Sequence, residues 1–159
     1  MKRTQLSGIL GRGRLQFADN AAVERYYEDK YRQGGYEAGC VRFGVNISAL
    51  YHQERHRAAL RFLRPAGHEV ILDAGCGNGR LAVQVAPLCR SIVAVDIAGN
   101  AFPDGNRAAP NLRFEKMNVE QLTFPDATFD QAVSVETLEH VLHSGRALEE
   151  LHRVIKPGG

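Results

Sequence analysis

The sequence predicts an α/β domain with a parallel β-sheet, preceded by a helical segment. From about residue 65 onward, short apolar and β-branched runs alternate with segments of helix length, a pattern typical of strand–helix–strand units. The first run ends in a glycine-rich turn and the second ends in an aspartate. The chain length of 159 residues suits one such domain.

Composition excludes several classes of protein. The chain is 44% hydrophobic and 24% charged, which is typical of globular proteins and excludes disordered, collagen-like and coiled-coil chains. No apolar run approaches the ~18 residues of a membrane span, and the basic start of the chain lacks the apolar stretch of a secretory signal. Cys40, Cys76 and Cys89 lack metal-ligand spacing and favour a reducing compartment. We therefore expect a cytoplasmic protein without a membrane partner.

Charge is unevenly distributed along the chain. Residues 1–64 contain 12 Lys and Arg against 6 Asp and Glu, whereas residues 65–159 contain 8 against 12. A basic front segment steers anionic substrates or nucleic acids in some proteins, but charge runs are more often solvated helix faces. Because no stacking platform or basic stripe accompanies the charge, a nucleic-acid partner is not favoured.

The chain is predicted to divide into three stretches: a poorly ordered tail at 1–18, a helical lead-in or lid at 19–64, and an α/β domain at 65–159. In the lead-in, Asp19 is the predicted N-cap of a helix that ends at Gly34. Ser48 is the predicted cap of a second helix running to Arg64.

The α/β stretch contains four predicted strands: His68–Leu72, Ser91–Val95, Asn111–Lys116 and Phe129–Val135. Two helices are predicted between and after them: Leu81–Cys89, with Leu81, Val85 and Leu88 on its core side, and Gly145–Ile155, with Leu148, Leu151 and Ile155 on its core side.

The glycine-rich turn after the first strand, residues 73–79, reads Asp-Ala-Gly-Cys-Gly-Asn-Gly. The dinucleotide fingerprint Gly-x-Gly-x-x-Gly requires a third glycine at position 80, which is Arg80 here. An acidic residue at the entrance, Asp73, repels a pyrophosphate, so the loop suits a ligand that carries positive charge. Asp96 ends the next strand, where a carboxylate accepts both hydroxyls of a ribose. Together these features predict a nucleoside-ligand site.

Five segments in order resemble motifs of class I S-adenosylmethionine-dependent methyltransferases of the small-molecule (type 11) branch: Val70–Gly79, Val93–Asp96, Asn118–Leu122 with Phe124–Asp130, Phe129–Glu136, and Arg153–Gly159. The resemblance spans residues 68–159. It implies a Rossmann-like parallel sheet, S-adenosylmethionine as cofactor, and methyl transfer to an oxygen or nitrogen of a small molecule.

The resemblance also implies roles for individual residues. Gly75, Gly77 and Gly79 would pack against the methionine part and the ribose of the cofactor. Asp73 would favour the cationic ligand, and Asp96 would take the ribose hydroxyls. The remaining residues expected around the cofactor are Asn118 and Val119 at the adenine, with Cys76, Asn78, Ile97 and Glu120 beside them.

The segment after the fourth strand carries the candidate catalytic groups. On a helix, Glu136, Glu139 and His140 lie at i, i+3 and i+4 and share one face. Such a face could deprotonate an acceptor or bind a divalent ion. The same Glu-x-x-Glu-His motif occurs in ubiquinone-biosynthesis O-methyltransferases and in metal-associated RNA 2′-O-methyltransferases. In many other small-molecule methyltransferases it is a structural helix start. We favour His140 and Glu136 as catalytic residues and do not favour a metal.

Aromatic residues of the lead-in suit a lid over a planar or apolar substrate, although ordinary packing explains each one equally well: Tyr26, Tyr27, Tyr31, Tyr36 and Tyr51, together with His52. The functions left open are a small-molecule methyltransferase, an RNA 2′-O-methyltransferase, and a non-catalytic cofactor-binding module.

The end of the sequence suggests a fragment. The resemblance implies seven strands, and Lys156–Gly159 is the turn expected before the fifth. We expect the fourth strand to be an exposed sheet edge that promotes self-association. The acceptor pocket is expected to be incomplete.

Overall fold

A computed structural model describes residues 17–34, 41–42, 45–102 and 109–159. Most of the predicted tail, as well as Tyr36 and Cys40, lies outside the described residues. Two helices occupy the lead-in: α1 (Asn20–Arg32) and α2 (Ile47–Leu63). Asp19 caps α1 as predicted, since its Oδ1 accepts a hydrogen bond from the Ala22 amide at 2.7 Å. The second helix begins one residue before the predicted Ser48 cap.

Between these helices lies a short antiparallel hairpin that the sequence did not predict, β1 (Val41–Arg42) with β2 (Val45–Asn46). The α/β part consists of β3 (Val70–Ala74), α3 (Arg80–Val85), β4 (Ser91–Asp96), β5 (Leu112–Lys116), β6 (Gln131–Val133) and α4 (Ser144–Val154). The four-stranded sheet is parallel throughout, in the order β5-β4-β3-β6, which confirms the predicted α/β class.

Both faces of the sheet are covered by helices. Successive strand residues point to opposite faces, so neighbouring residues belong to different clusters. Ile71 and Ile92 pack on one side with Leu63 of α2. Leu72 and Val93 pack on the other, in a cluster that includes Ala147 and Val154 of α4. Helix α1 contributes to a smaller cluster: Val23, Tyr27 and Ala98.

Three predictions about the helices are wrong. The helix predicted over Leu81–Cys89 ends at Val85 and continues as a 3₁₀ turn around Pro87, so Leu88 is exposed. In α4 the buried stripe runs through Ala147 and Val154, and Leu148, about 100° further round the helix, is exposed. The predicted helix at 136–140 is a turn, and α4 begins only at Ser144.

None of the described helices is long and apolar enough to span a membrane.

The chain reverses its direction of travel across the sheet after β5. Strands β4 and β5 follow on one side of β3, and β6 then pairs with β3 on its other side. In open parallel sheets, ligands bind at this reversal, beyond the carboxyl ends of the strands.

Candidate functional site

A cavity of about 540 Å³ lies at the carboxyl ends of the strands, within the size range of small-molecule sites. All but one of the predicted cofactor and catalytic residues line it: Asp73, Gly75, Cys76, Gly77, Asn78, Asp96, Ile97, Asn118, Val119, Glu120, Glu136 and His140. The residues come from four separate segments at the ends of the strands, so the fold brings together side chains far apart in sequence. Helices α1 and α2, the start of α3 and residues 100–101 also contribute to its walls.

The loop after β3 has a backbone that requires glycine. Gly75 and Gly77 have φ angles of +80° and +55°, and the Gly75 and Cys76 amides donate to the Val95 carbonyl at 2.8 and 2.9 Å. A Cβ on Gly75 would lie 2.1 Å from Thr137 Oγ1. The loop therefore lies closely between β4 and the segment after β6.

Gly79 is the one predicted cofactor residue that does not line the cavity. Gly79 is the N-cap of α3 and has a φ of +73°. A Cβ at this position would lie 2.3 Å from the Phe114 ring. The loop has already turned into the helix at this point. In the structure, Gly79 allows helix α3 to pack closely against the sheet.

Asp96 connects the glycine loop to the end of β4. Its Oδ2 accepts from the Gly77 amide at 2.8 Å, and its Oδ1 accepts from the Ala98 amide at 2.9 Å. Burial raises the pKa of Asp96, while these amides and that of Ile97 act in the opposite direction. The carboxylate has four lone-pair sites and three neighbouring amides, so it retains acceptor capacity for a ligand hydroxyl.

Asp73 is a buried carboxyl with one unsatisfied oxygen. Its Oδ2 has no hydrogen-bond partner, and burial, followed by the charge of Asp96, raises the pKa of Asp73 to about 7. An unpartnered buried carboxylate is unfavourable, so the group takes up a proton near neutral pH unless a cation approaches it. This end of the cavity is therefore suited to a positively charged group.

The segment after β5 is held by its own polar groups. Asn118 Oδ1 accepts from the Glu120 amide at 2.9 Å, which forms a local turn. Glu120 accepts from the Leu142 amide at 2.7 Å and contacts His143 Nδ1 at 3.0 Å. Burial by itself raises the pKa of Glu120, but the hydrogen bonds from His143 and Leu142 hold it below its ordinary value. Glu120 thus fastens the loop at 142–143 to the cavity wall.

Glu136 and His140 reach the cavity from a turn rather than from the predicted helix. Glu136 has a φ of +56°, which breaks the helical path, and its carboxylate forms an ion pair with Arg55 of α2. The His140 ring lies edge-on to Tyr27, with centroids 5.7 Å apart. Glu139 does not line the cavity. Within the described ranges, no group of three or more His, Cys, Asp or Glu side chains could hold a metal ion.

Several cavity residues were not singled out from the sequence as site residues. Thr137 contacts the glycine loop through a hydrogen bond from Oγ1 to the Ala74 carbonyl at 3.2 Å. His56 and Arg80 also line the cavity. The sequence does indicate His56, because it lies four residues after His52 and so on the same face of the predicted lid helix. Of the lid aromatics, Tyr27 and Tyr31 line the cavity, whereas Tyr26 and Tyr51 do not.

Comparisons with known proteins identify the family. A family profile described as a methyltransferase domain (type 11) matches residues 72–159. The S-adenosyl-L-methionine-dependent Diels-Alderase iccD of Talaromyces variabilis is 30% identical over 162 residues, covering 89% of this chain and 55% of that protein. The demethylmenaquinone methyltransferase of Symbiobacterium thermophilum is 34% identical over 125 residues, covering 71% of this chain and 49% of that protein.

The fold is also found among solved structures. The crystal structure of the 4+2 cyclase SpnF superposes with a TM-score of 0.73 at 23% identity, over 88% of this chain and 57% of that one. The chain spans about half the length of the curated relatives it matches. Because the profile covers more than half of this chain and its motifs surround the cavity, the chain belongs to the class I S-adenosylmethionine-dependent methyltransferase family.

Proposed function

We propose that this chain binds S-adenosylmethionine in the cavity and takes part in methyl transfer to a small-molecule acceptor. The observation that carries the proposal is the pair of buried carboxyls, Asp73 and Asp96, on a cavity bordered by the glycine loop. Asp73 has an oxygen without a partner, and a cationic ligand supplies one.

The described residues fit this cofactor in three places. Gly75 and Gly77 leave bare backbone for the methionine part, and Asp96 offers acceptors for the ribose hydroxyls. Asn118 and Val119 lie at the adenine end of the proposed pose, while Cys76, Asn78 and Ile97 complete the wall. Glu120 supports the wall through its bonds to residues 142–143.

When bound, the cofactor supplies an electrophilic methyl group on a positively charged sulfur. The residues of this chain contribute mainly by positioning, which provides much of the rate of such transfers. His140 is proposed to contact the acceptor from the segment after β6. Glu136 is proposed to act through Arg55, because its carboxylate is already ion-paired there.

Isothermal titration calorimetry tests the cofactor assignment. We expect S-adenosylmethionine and S-adenosylhomocysteine to bind with one site per chain, and NAD not to bind, because Asp73 opposes a pyrophosphate at the loop. NAD binding in place of either compound would contradict the assignment.

Binding of S-adenosylmethionine is expected to strengthen as pH rises through neutrality. Because the pKa of Asp73 is raised to about 7, its carboxyl is largely protonated at pH 6 and largely ionised at pH 8. A cationic ligand prefers the ionised form, so affinity should be about tenfold higher at pH 8, with proton release on binding. Calorimetry in buffers of different ionisation enthalpy measures both effects. In Asp73→Asn the pH dependence should disappear, and a flat wild-type profile would contradict the role of Asp73.

Chelation is expected to leave cofactor binding and turnover unchanged. Glu139 does not line the cavity and Glu136 is paired with Arg55, so the Glu136, Glu139 and His140 side chains do not meet as a metal site. Binding and methyl release, each measured with and without EDTA, check this. Loss of turnover that Mg²⁺ or Mn²⁺ restores would assign these residues to a metal.

A second candidate function is cofactor-dependent cycloaddition without methyl transfer. It is favoured by how much of this chain matches the two proteins. The matches to iccD and SpnF extend over 89% and 88% of this chain and include the lead-in. A methyl-release assay with separate pools of small molecules and RNA distinguishes the candidates. Release with small molecules supports the first proposal, release with RNA supports an RNA 2′-O-methyltransferase, and cofactor binding without release supports the cyclase or a non-catalytic module.

We also propose self-association through β6. Among the described residues, β6 pairs only with β3, and a single bridge joins Phe129 to Ile155. Unpaired edge strands are a common site of strand addition. Sedimentation at several concentrations tests this proposal.

A cytoplasmic location is proposed on the basis of the free thiols Cys76 and Cys89, and cell fractionation tests it.

A further inference from the structure

The face of α2 that packs inward changes character along the helix. Toward its C-terminal end, Ala59 and Leu63 are buried in the core beneath the sheet. One to three turns earlier, the same face carries His52, Arg55 and His56, all half-buried. An inward-facing helical stripe is ordinarily apolar, so three basic side chains in this position need a reason.

That reason is the position of the helix over the cavity. His52 and His56 are four residues apart and therefore lie on one face of α2, and both line the cavity. Arg80, at the start of α3, lines it as well. The cavity thus has acidic groups at the strand ends, Asp73 and Asp96, and basic groups along α2 and α3.

The surroundings of His56 favour a neutral imidazole. Burial, followed by the charges of His52, Arg80 and Arg55, lowers the pKa of His56. Burial, Arg55 and Arg80 lower the pKa of His52 in the same way. A neutral imidazole has one nitrogen able to accept a proton at neutral pH. Among the residues that the structure describes, Glu136 also lies on this side, where it is ion-paired with Arg55.

The charges around these imidazoles discriminate between kinds of acceptor. An acidic hydroxyl, such as that of a phenol, becomes an anion when it gives up its proton, and the Arg80 guanidinium on the cavity stabilises that anion. An amine becomes a cation when it is methylated, and the charge of Arg80 opposes it. The basic side of the cavity therefore favours a hydroxyl acceptor over an amine.

We propose that the α2 face that carries His52 and His56 is the acceptor wall, and that His56 is the general base for an acidic hydroxyl of phenol type. The inference rests on the proposed function and narrows its substrate class. In the step, the acceptor O–H bond breaks with its electron pair left on oxygen. The proton moves to an imidazole nitrogen of His56, which becomes an imidazolium and later releases the proton to solvent.

Two probes of matched size, 4-nitrophenol and 4-nitroaniline, test this with the full chain loaded with S-adenosylhomocysteine. We expect the phenol to bind at least tenfold more tightly than the aniline. At slightly acidic pH, the bound phenol should show the visible absorbance of its phenolate, and the His56 imidazole resonances should shift to the protonated form. His56→Gln should lose at least tenfold in phenol affinity and lose the phenolate signal while keeping its affinity for S-adenosylhomocysteine.

The control is His152→Gln, because His152 is exposed on α4. Arg80→Gln is a second variant at an exposed position, and it should reduce the preference for the phenol even if His56→Gln fails to fold. Equal binding of both probes would overturn the proposal. So would loss of the phenolate signal in His140→Gln but not in His56→Gln. Weakened S-adenosylhomocysteine binding in His56→Gln would instead assign the wall to the cofactor carboxylate.

The probe measurements are repeated on the cofactor-free chain, so the two proposals fail separately. A chain that does not bind S-adenosylhomocysteine but prefers the phenol through His56 would contradict the proposed cofactor alone. A chain that binds the cofactor without a phenol preference would contradict only the acceptor wall.

Discussion

Replacing Asp96 with alanine is expected to weaken S-adenosylmethionine binding by about 2 kcal/mol or more, roughly thirtyfold, because hydrogen bonds to a charged acceptor contribute about 1.5–3 kcal/mol each. Asp96 is buried, and its two oxygens already accept hydrogen bonds from the Gly77 and Ala98 amides. The substitution therefore removes the ribose acceptors and also loosens the glycine loop that borders the same cavity.

Two further variants separate these effects. Asp96→Asn retains a carbonyl oxygen of similar shape but loses the charge, so it should retain more of the loop and still bind weakly. Glu115→Gln removes a carboxylate from β5 that does not line the cavity, and it should bind as the wild type does. Calorimetry gives the affinities and circular dichroism verifies folding. Wild-type affinity in both Asp96 variants would reject the ribose assignment.

Gly75→Ala is expected to lower the free energy of unfolding by about 2–5 kcal/mol, the sum of a left-handed backbone and an overpacked contact. The new Cβ would lie 2.1 Å from Thr137 Oγ1, and the φ of +80° is unfavourable for alanine. Thr137 cannot easily move aside, because its hydroxyl is bonded to the Ala74 carbonyl. Cofactor binding should fall with stability, since the loop forms the cavity wall.

Two other glycines serve as controls in urea unfolding. A Cβ added at Gly67 would meet nothing within 4 Å, but the φ there is +95°. Gly67→Ala should therefore lower the free energy of unfolding only by the backbone cost of about 1–2 kcal/mol. Gly145→Ala lies in α4 in open space, and it should be neutral or slightly stabilising. If Gly75→Ala were no more destabilising than Gly67→Ala, the close contact with Thr137 would be unimportant.

The strands and their terminal acids were predictable because they depend on local patterns. The run Ile92–Val95 reads as a buried strand, and Asp96 follows it at the edge where parallel strands open. Every predicted cofactor residue except Gly79 lines the cavity. Gly79 differs because the chain has already reached the start of α3, where the absence of a Cβ leaves room for the Phe114 ring of β5.

The features that were missed depend on contacts distant in sequence. The segment at 136–140 has helical spacing, but Glu136 adopts a left-handed backbone beside the glycine loop and Arg55, which a local pattern does not reveal. The two-residue strands β1 and β2 are too short to show alternation. His56 reads as an ordinary helix residue until the fold places α2 over the cavity.

Helix α1 is fastened to the sheet by two kinds of contact that respond differently to salt. Val23 and Tyr27 are buried against Ala98, while Lys116 Nζ lies 2.6 Å from Glu24 and 2.8 Å from Glu28 at the partly exposed end of β5. Ionic strength screens the second kind and leaves the first nearly untouched. Since α1 also forms part of the cavity wall, we expect the rate at which small molecules enter and leave the cavity to depend on ionic strength. The buried carboxyls on the cavity, Asp73 and Asp96, are screened far less.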